Sequence, residues 1–204
     1  MKKVFFPLAI ILLNSAPAFA DFLPKSFSSK FEQEYISTLK GKTKKGNGII
    51  EYKYPGQIRF ETSTPSTVIF VSNGVKAWYY RAPFIEGEQG EVTESKASEG
   101  ATIYIKFFDS LKNGLISNDY YDVKKGEPVT LIFKPKAAKE LGIKESMLYF
   151  KKKEGQKFEE LDAINLVFAD GKNSKLKFVD LKVNPAMGAD RFNFIPPANT
   201  KKTN

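Results

Sequence analysis

The chain contains no cysteine and no histidine among its 204 residues. Without cysteine there can be no disulfide, no thiolate nucleophile and no lipid-bearing cysteine at a processed N-terminus. Without histidine, Ser-His-Asp and Cys-His triads are excluded, as are zinc sites built on histidine or cysteine. Carboxylate pairs, Ser-Lys dyads and a calcium site stay formally open. No G-x-S-x-G, P-loop or calcium-loop spacing of acids occurs, however. The carboxylates, as in Glu86-Gly87-Glu88 and Glu159-Glu160, are scattered as on a solvated face. These absences predict a protein that is not an enzyme and needs no cofactor or metal.

Long apolar runs are scarce as well. The one at the start, Val4 to Leu13, is broken by Pro7 and is too short to span a bilayer as a helix. Met1-Lys2-Lys3 precedes it and Ala18-Phe19-Ala20 follows, so residues 1–20 read as a signal peptide cleaved after Ala20. That predicts a bacterial exported protein, soluble after cleavage. Removing those residues lowers the formal charge from +9 to +7 and leaves residues 21–204 as one domain with room for a core. Neither a linker nor an internal repeat divides them. The lysines concentrate at 40–45 and 151–153, where solvation accounts for most of them. With no nucleic-acid motif, no nucleic-acid partner is expected.

What is plentiful is period-two alternation of aromatic and aliphatic residues. Phe27 to Leu39 puts Phe27, Phe31, Gln33, Tyr35 and Leu39 on one face and Lys30, Glu32, Glu34 and Lys40 on the other, which predicts a half-buried strand. Gly41 to Gly48 reads as a flexible basic turn. Strands follow at Ile49–Tyr54 and around Ile58–Thr62, separated by Pro55-Gly56 as a bend or edge. Residues 67–80, TVIFVSNGVKAWYY, predict a hairpin on a type I′ Asn73-Gly74 turn. Its two faces, Ile69, Val71, Trp78, Tyr80 and Val68, Phe70, Ala77, Tyr79, are both apolar. A surface hairpin needs only one such face, so something must cover the second.

The best helix candidate is 101–113, with Ile103, Phe107, Phe108 and Leu111 on one stripe and Gly114 as its stop. Strands are expected again at 129–133, 147–150, 164–168 and 176–183, with a helical turn over 137–141 and a closing stretch at 191–195. Helices do not alternate regularly with these strands, which argues against βαβ architecture. The expected fold is mainly β: a single curled antiparallel sheet, a half-open barrel, with one helix across it. The concave side of such a sheet is either filled by its own side chains or reserved for a ligand. No convergent hydrogen-bonding groups are evident on it.

The order of motifs resembles the LolA-type outer-membrane lipoprotein carrier proteins. The carrying pieces are SFSSKFEQ (26–33), GNGIIEYKYPGQIRFETSTPSTVIFVSNGVKAWYYRAPF (46–84), FADGKNSKLKFVDLKVNP (168–185) and the final Phe-x-Phe-x-Pro-Pro run (192–197). The resemblance implies a half-open, LolA/LolB-like barrel closed by a helical lid. It also implies a monomeric chaperone that takes acylated lipoproteins from an inner-membrane ABC transporter of the LolCDE type. Delivery would be to an outer-membrane receptor of the LolB type or an equivalent. Residues implied on the concave, lipid-binding face are Phe27, Phe31, Ile50, Tyr52, Ile58 and Phe60. Phe84, Ile103, Phe107, Phe108 and Leu111 belong to the mouth and lid. Ile69, Val71, Trp78 and Tyr80 join the inward set if Phe60 pairs with Ile69, whereas a one-residue slip reverses this.

Two departures stand out. Members of the family carry a long amphipathic helix before the first strand, where only Asp21 to Lys25 stands here after cleavage. They also carry an arginine before the strand proline, the lid-latch position, which is Tyr54 in this chain. A tyrosine offers one hydroxyl in place of five donors. Alternatives on a related scaffold are an envelope-stress regulatory module of the RseB type and a carrier of another lipid.

Overall fold

The computed structural model describes residues 22–36, 42–100, 103–152 and 154–203. The proposed signal peptide, residues 1–20, lies outside the described residues. The strands are β1 (Ser26–Ile36), β2 (Thr43–Lys53), β3 (Gln57–Thr64), β4 (Val68–Asn73), β5 (Lys76–Arg81) and β6 (Gly90–Lys96), then β7 (Tyr121–Lys124), β8 (Val129–Phe133), β9 (Ile143–Phe150), β10 (Leu161–Phe168), β11 (Asn173–Val183) and β12 (Thr200–Thr203). The helices are α1 (Ala97–Gly100), α2 (Ile103–Ser110) and α3 (Pro135–Leu141).

All twelve strands form one sheet in the order β12-β6-β5-β4-β3-β2-β1-β11-β10-β9-β8-β7. Its ladders are antiparallel except β12 on β6, which is parallel. The sheet curls without closing. Register shifts opposite Ser28/Lys30 and Asn47/Gly48 place one extra residue on β11 and one on β3, and such bulges sharpen twist.

The 41–48 stretch is a strand from Thr43 onward rather than a turn, because β2 pairs with β1 as far as Ile36↔Thr43. Gly48 is needed inside it. A Cβ there would lie 1.8 Å from the Glu61 carbonyl oxygen and 2.8 Å from the Phe31 ring. Helix α2 begins within the expected 101–113 segment, of which residues 101–102 lie outside the described residues. A 3-10 turn over Leu111–Asn113 continues it, and Gly114, at φ 74°, ends it with its N–H on the Leu111 carbonyl at 3.0 Å. Pro135 opens α3, whose Gly142 cap is left-handed, and Ala137 and Leu141 face the core.

The Asn73-Gly74 turn departs from type I′. Gly74 has positive φ but Asn73 does not. Instead the Asn73 side-chain oxygen accepts from the N–H of Val75 (2.9 Å) and Lys76 (2.8 Å), an Asx-type turn. Residues 191–195 are not a strand. Ala189–Phe192 form a 3-10 turn, and the chain then runs extended across the convex side to β12.

Candidate functional site

The concave face is lined by the inward residues of β1, β2, β3 and β11. Phe27, Phe31, Ile50, Tyr52 and Ile58 are fully buried in the main core, and half-buried Phe60 packs against them. Helix α2 lies over this surface and fills it. Phe107, Phe108 and Leu111 have no exposed surface, while Ile103 packs at the margin. The expected concave set and the α2 stripe therefore meet in one apolar interior. Phe108 stands edge-on to Phe27 at 4.9 Å, and Tyr52 stacks on Phe27 at 5.3 Å. Further along β1, the rings of Phe31 and Phe60 stack at 4.6 Å, and Tyr104 of α2 stacks on Phe60 at 4.9 Å.

The hairpin faces are the reverse of those expected. Five residues separate Thr62 from its partner Val68, so Phe60 pairs with Phe70, not Ile69. Phe70 and Ala77 consequently join the interior. Ile69, Val71, Trp78 and Tyr80 point to the convex side, where they form a second apolar cluster with Val92 and Phe194. The C-terminal segment is the missing cover. Phe194 packs on Tyr80 at 5.6 Å, Arg191 is bound to Glu51 at 2.6 Å, and Asn193 meets Asn73 at 2.9 Å. Phe84 is also misplaced by the expectation. It is 91% exposed in the loop between β5 and β6 and takes no part in the interior.

The lid is held by polar contacts that the family pattern does not anticipate. Tyr54 is 37% exposed; its backbone N–H bonds to the Lys25 carbonyl at 2.9 Å, and the ammonium of Lys112 sits 5.7 Å from its ring centre. The latch stands two residues earlier, at Tyr52 on β2. Asp109, on α2, accepts a hydrogen bond from the Tyr52 hydroxyl and another, at 3.1 Å, from the backbone N–H of Gly56 in the Pro55-Gly56 bend. The donors stand on the wall and the acceptor on the lid, as they would with an arginine on the strand, but they come from Tyr52 and the Gly56 backbone. Burial, with the hydrogen bond to Asp109 second, pushes the Tyr52 hydroxyl far above the usual tyrosine range. Lys106 ties the other flank of α2 to α3 through the Glu140 carbonyl at 3.0 Å.

A second polar contact stands six residues beyond Phe27 along β1, about 20 Å at strand rise. The Gln33 amide donates to the Tyr104 hydroxyl and to the Ser174 hydroxyl, both at 2.9 Å, and the two hydroxyls are 3.1 Å apart. Burial raises the Tyr104 pKa, partly offset by these bonds. Contrary to expectation, then, the interior does hold convergent hydrogen-bonding groups. Two signals for them stood in the sequence: Gln33 as a polar residue on the apolar face of β1, and Asp109 as an acid beside Phe107-Phe108.

Before β1, Phe22 and Leu23 are buried, and Phe22 packs on Phe158 at 5.5 Å and Phe150 at 6.1 Å. A cleft of about 550 Å³ opens beside them, lined by Phe22, 112–116 and 156–159. Among the described residues no cluster of acids could hold a metal ion, and no helix is long and apolar enough to cross a membrane.

A curled, unclosed antiparallel sheet whose apolar concave side is occupied by a latched helix defines a lidded half-barrel. The model of the family described as outer membrane lipoprotein carrier protein LolA matches residues 24–195, and the chain belongs to that family. Similar curated proteins carry the name outer-membrane lipoprotein carrier protein. One from Dechloromonas aromatica is 26% identical over 181 residues, 87% of this chain and 82% of its own. Another from Vibrio campbellii is 30% identical over 178 residues, 84% of this chain and 76% of its own. A LolA superfamily structure from Nitrosomonas europaea aligns with TM-score 0.47 and 11% identity, covering 86% of this chain and 94% of that one. The family is one of carriers for lipoprotein localisation and not of enzymes.

Proposed function

We propose that residues 21–204 act as one domain that carries the acyl chains of lipoproteins through the periplasm, after removal of a signal peptide over 1–20. Its cargo would come from an inner-membrane ABC transporter and pass to an outer-membrane receptor or acceptor. The observation that carries this reading is the lid itself, α2, which puts Phe107, Phe108 and Leu111 into an apolar half-barrel yet is fixed to it by side chains. Displacing α2 leaves the strand ladders intact and uncovers the aromatic wall. Each methylene moved from water onto that wall contributes about 0.8 kcal/mol, so a long acyl chain can offset the cost of lifting the helix. No covalent chemistry is required of the chain. Nothing in the fold favours the regulatory-module alternative.

The test is extraction. Inner-membrane vesicles bearing a tri-acylated lipoprotein are incubated with the mature protein. The expected product is a soluble one-to-one complex that does not form with a non-acylated version. Equal complex formation by the non-acylated version, or release without the protein, overturns the reading. Phe60→Glu, at a half-buried site, should fold and fail to hold acyl chains, whereas Ile58→Glu, at a fully buried one, should unfold.

A further inference from the structure

Hydrocarbon alone does not explain why Gln33, Tyr104 and Ser174 meet at the margin of an aromatic interior. Each of the two amide hydrogens of Gln33 is used, one on Tyr104 and one on Ser174. Tyr104 is the only member supplied by the lid; the other two stand on β1 and β11. Its ring lies parallel to Phe60, at an interplanar angle of 11°, while its hydroxyl accepts from the Gln33 amide and shares a hydrogen bond with the Ser174 hydroxyl, which either oxygen can donate. The side chain thus combines a flat apolar body with one oxygen at its tip, an outline shared by the end of an acyl chain and its carbonyl.

When α2 leaves, the apolar slot against Phe60 empties and one Gln33 N–H loses its acceptor. The Ser174 hydroxyl, on a residue 3% exposed, loses a neighbour too. A plain hydrocarbon would fill the slot and leave those donors unmet, which is costly in an apolar setting. An acyl carbonyl would satisfy them. The surroundings suit the rest of such a ligand. Gln33 also lines a cleft of about 240 Å³ with Tyr35, Gly46, Thr62, Thr64 and Val68, where a polar glyceryl or peptide portion can sit in water.

We propose that Gln33 and Ser174 form a subsite for the carbonyl of an ester- or amide-linked acyl chain, which Tyr104 occupies in the lidded state. The proposal rests on the carrier reading and gives it a specificity: acyl groups over equally long alkyl groups.

The experiment compares two probes, dipalmitoylglycerol and its di-O-hexadecyl ether analogue, by displacement of a fluorescent fatty acid from the mature protein. The wild type should prefer the ester probe roughly tenfold, in keeping with one or two unmet buried donors. Gln33→Leu and Ser174→Ala should bring the two affinities within about twofold, mainly by weakening the ester. Tyr104→Phe removes only the competing hydroxyl and should keep or widen the preference, which guards against misfolding of the polar variants. Equal binding of both probes by the wild type, or a preference that survives Gln33→Leu and Ser174→Ala together, overturns the subsite alone. Failure of the wild type to bind either probe overturns the carrier reading as well.

Discussion

The carboxylate of Asp109 on helix α2 accepts a hydrogen bond from the hydroxyl of Tyr52 on the barrel wall, whose ring packs against Phe27 and Phe108. This one contact joins the lid to the wall at a point that is otherwise apolar. Asp109→Ala leaves the Tyr52 hydroxyl and the Gly56 N–H without an acceptor, at a cost of about 1–3 kcal/mol. Hydrogen exchange across 103–110 should accelerate while β10 and β11 keep their protection. Tyr52→Phe should have a smaller effect in the same direction, because Asp109 still receives the Gly56 N–H. Unchanged exchange in α2 for Asp109→Ala sinks the latch.

Trp78, the single tryptophan, reports on the convex side. Its emission should not respond when acyl ligands enter the interior. Phe194→Ala should shift it to the red and lower stability by about 3 kcal/mol, as large-to-small changes in apolar clusters do. A ligand-induced shift at Trp78 with no response to Phe194→Ala would mean the hairpin faces are assigned backwards.

Alkaline pH should loosen the barrel. Burial pushes the Tyr121 hydroxyl up to about 12, from 10.0 for a free tyrosine. The folded state therefore holds this proton more tightly than the unfolded chain. Its contribution is fully present below about pH 10 and is lost as pH rises towards 12. Tyr52 adds a loss of the same sign. Urea midpoints at about pH 9 and pH 11 should diverge for the wild type and diverge less for Tyr121→Phe; equal divergence contradicts the assignment.

Gly48→Ala has no room. The added carbon meets a backbone carbonyl, which cannot swing aside as a side-chain tip can. The β2–β3 ladder must part, and a loss of at least 1–3 kcal/mol is expected in thermal or urea unfolding. Wild-type stability in this variant would show that the close approach of Glu61 to Gly48 is not held in solution.

The aromatic alternation of β1, β3, β10 and β11 was legible because one face of each is buried and the other solvated. Strands β6, β7 and β12 were not. Thr200-Lys201-Lys202-Thr203 has no apolar face at all, and it is a strand only because the edge of β6 offers it partners. The hairpin was legible as a hairpin, but its faces were not. Both are apolar, so the choice fell to five residues of turn and to a cover more than a hundred positions away at Phe194. In the site, alternation put the apolar residues of β1, β2 and β3 on one face, and only the resemblance to a family named that face, with the α2 stripe, as a candidate site; the hairpin face and Phe84 fall outside the interior. The latch depended on how α2 is seated against the wall, which no local spacing encodes.

The outer edge of the sheet at β7 has a consequence for the carrier in a crowded compartment. The loop before it lends its own atoms to that edge. Asn118 gives its N–H to the Tyr121 carbonyl at 2.9 Å and accepts the Tyr121 N–H at 3.2 Å, while Ser117 accepts the Val123 N–H at 2.9 Å. A neighbouring chain approaching β7 therefore finds the Tyr121 N–H and carbonyl and the Val123 N–H already taken. Occupied edge groups of this kind disfavour the addition of a strand from a second copy along this border.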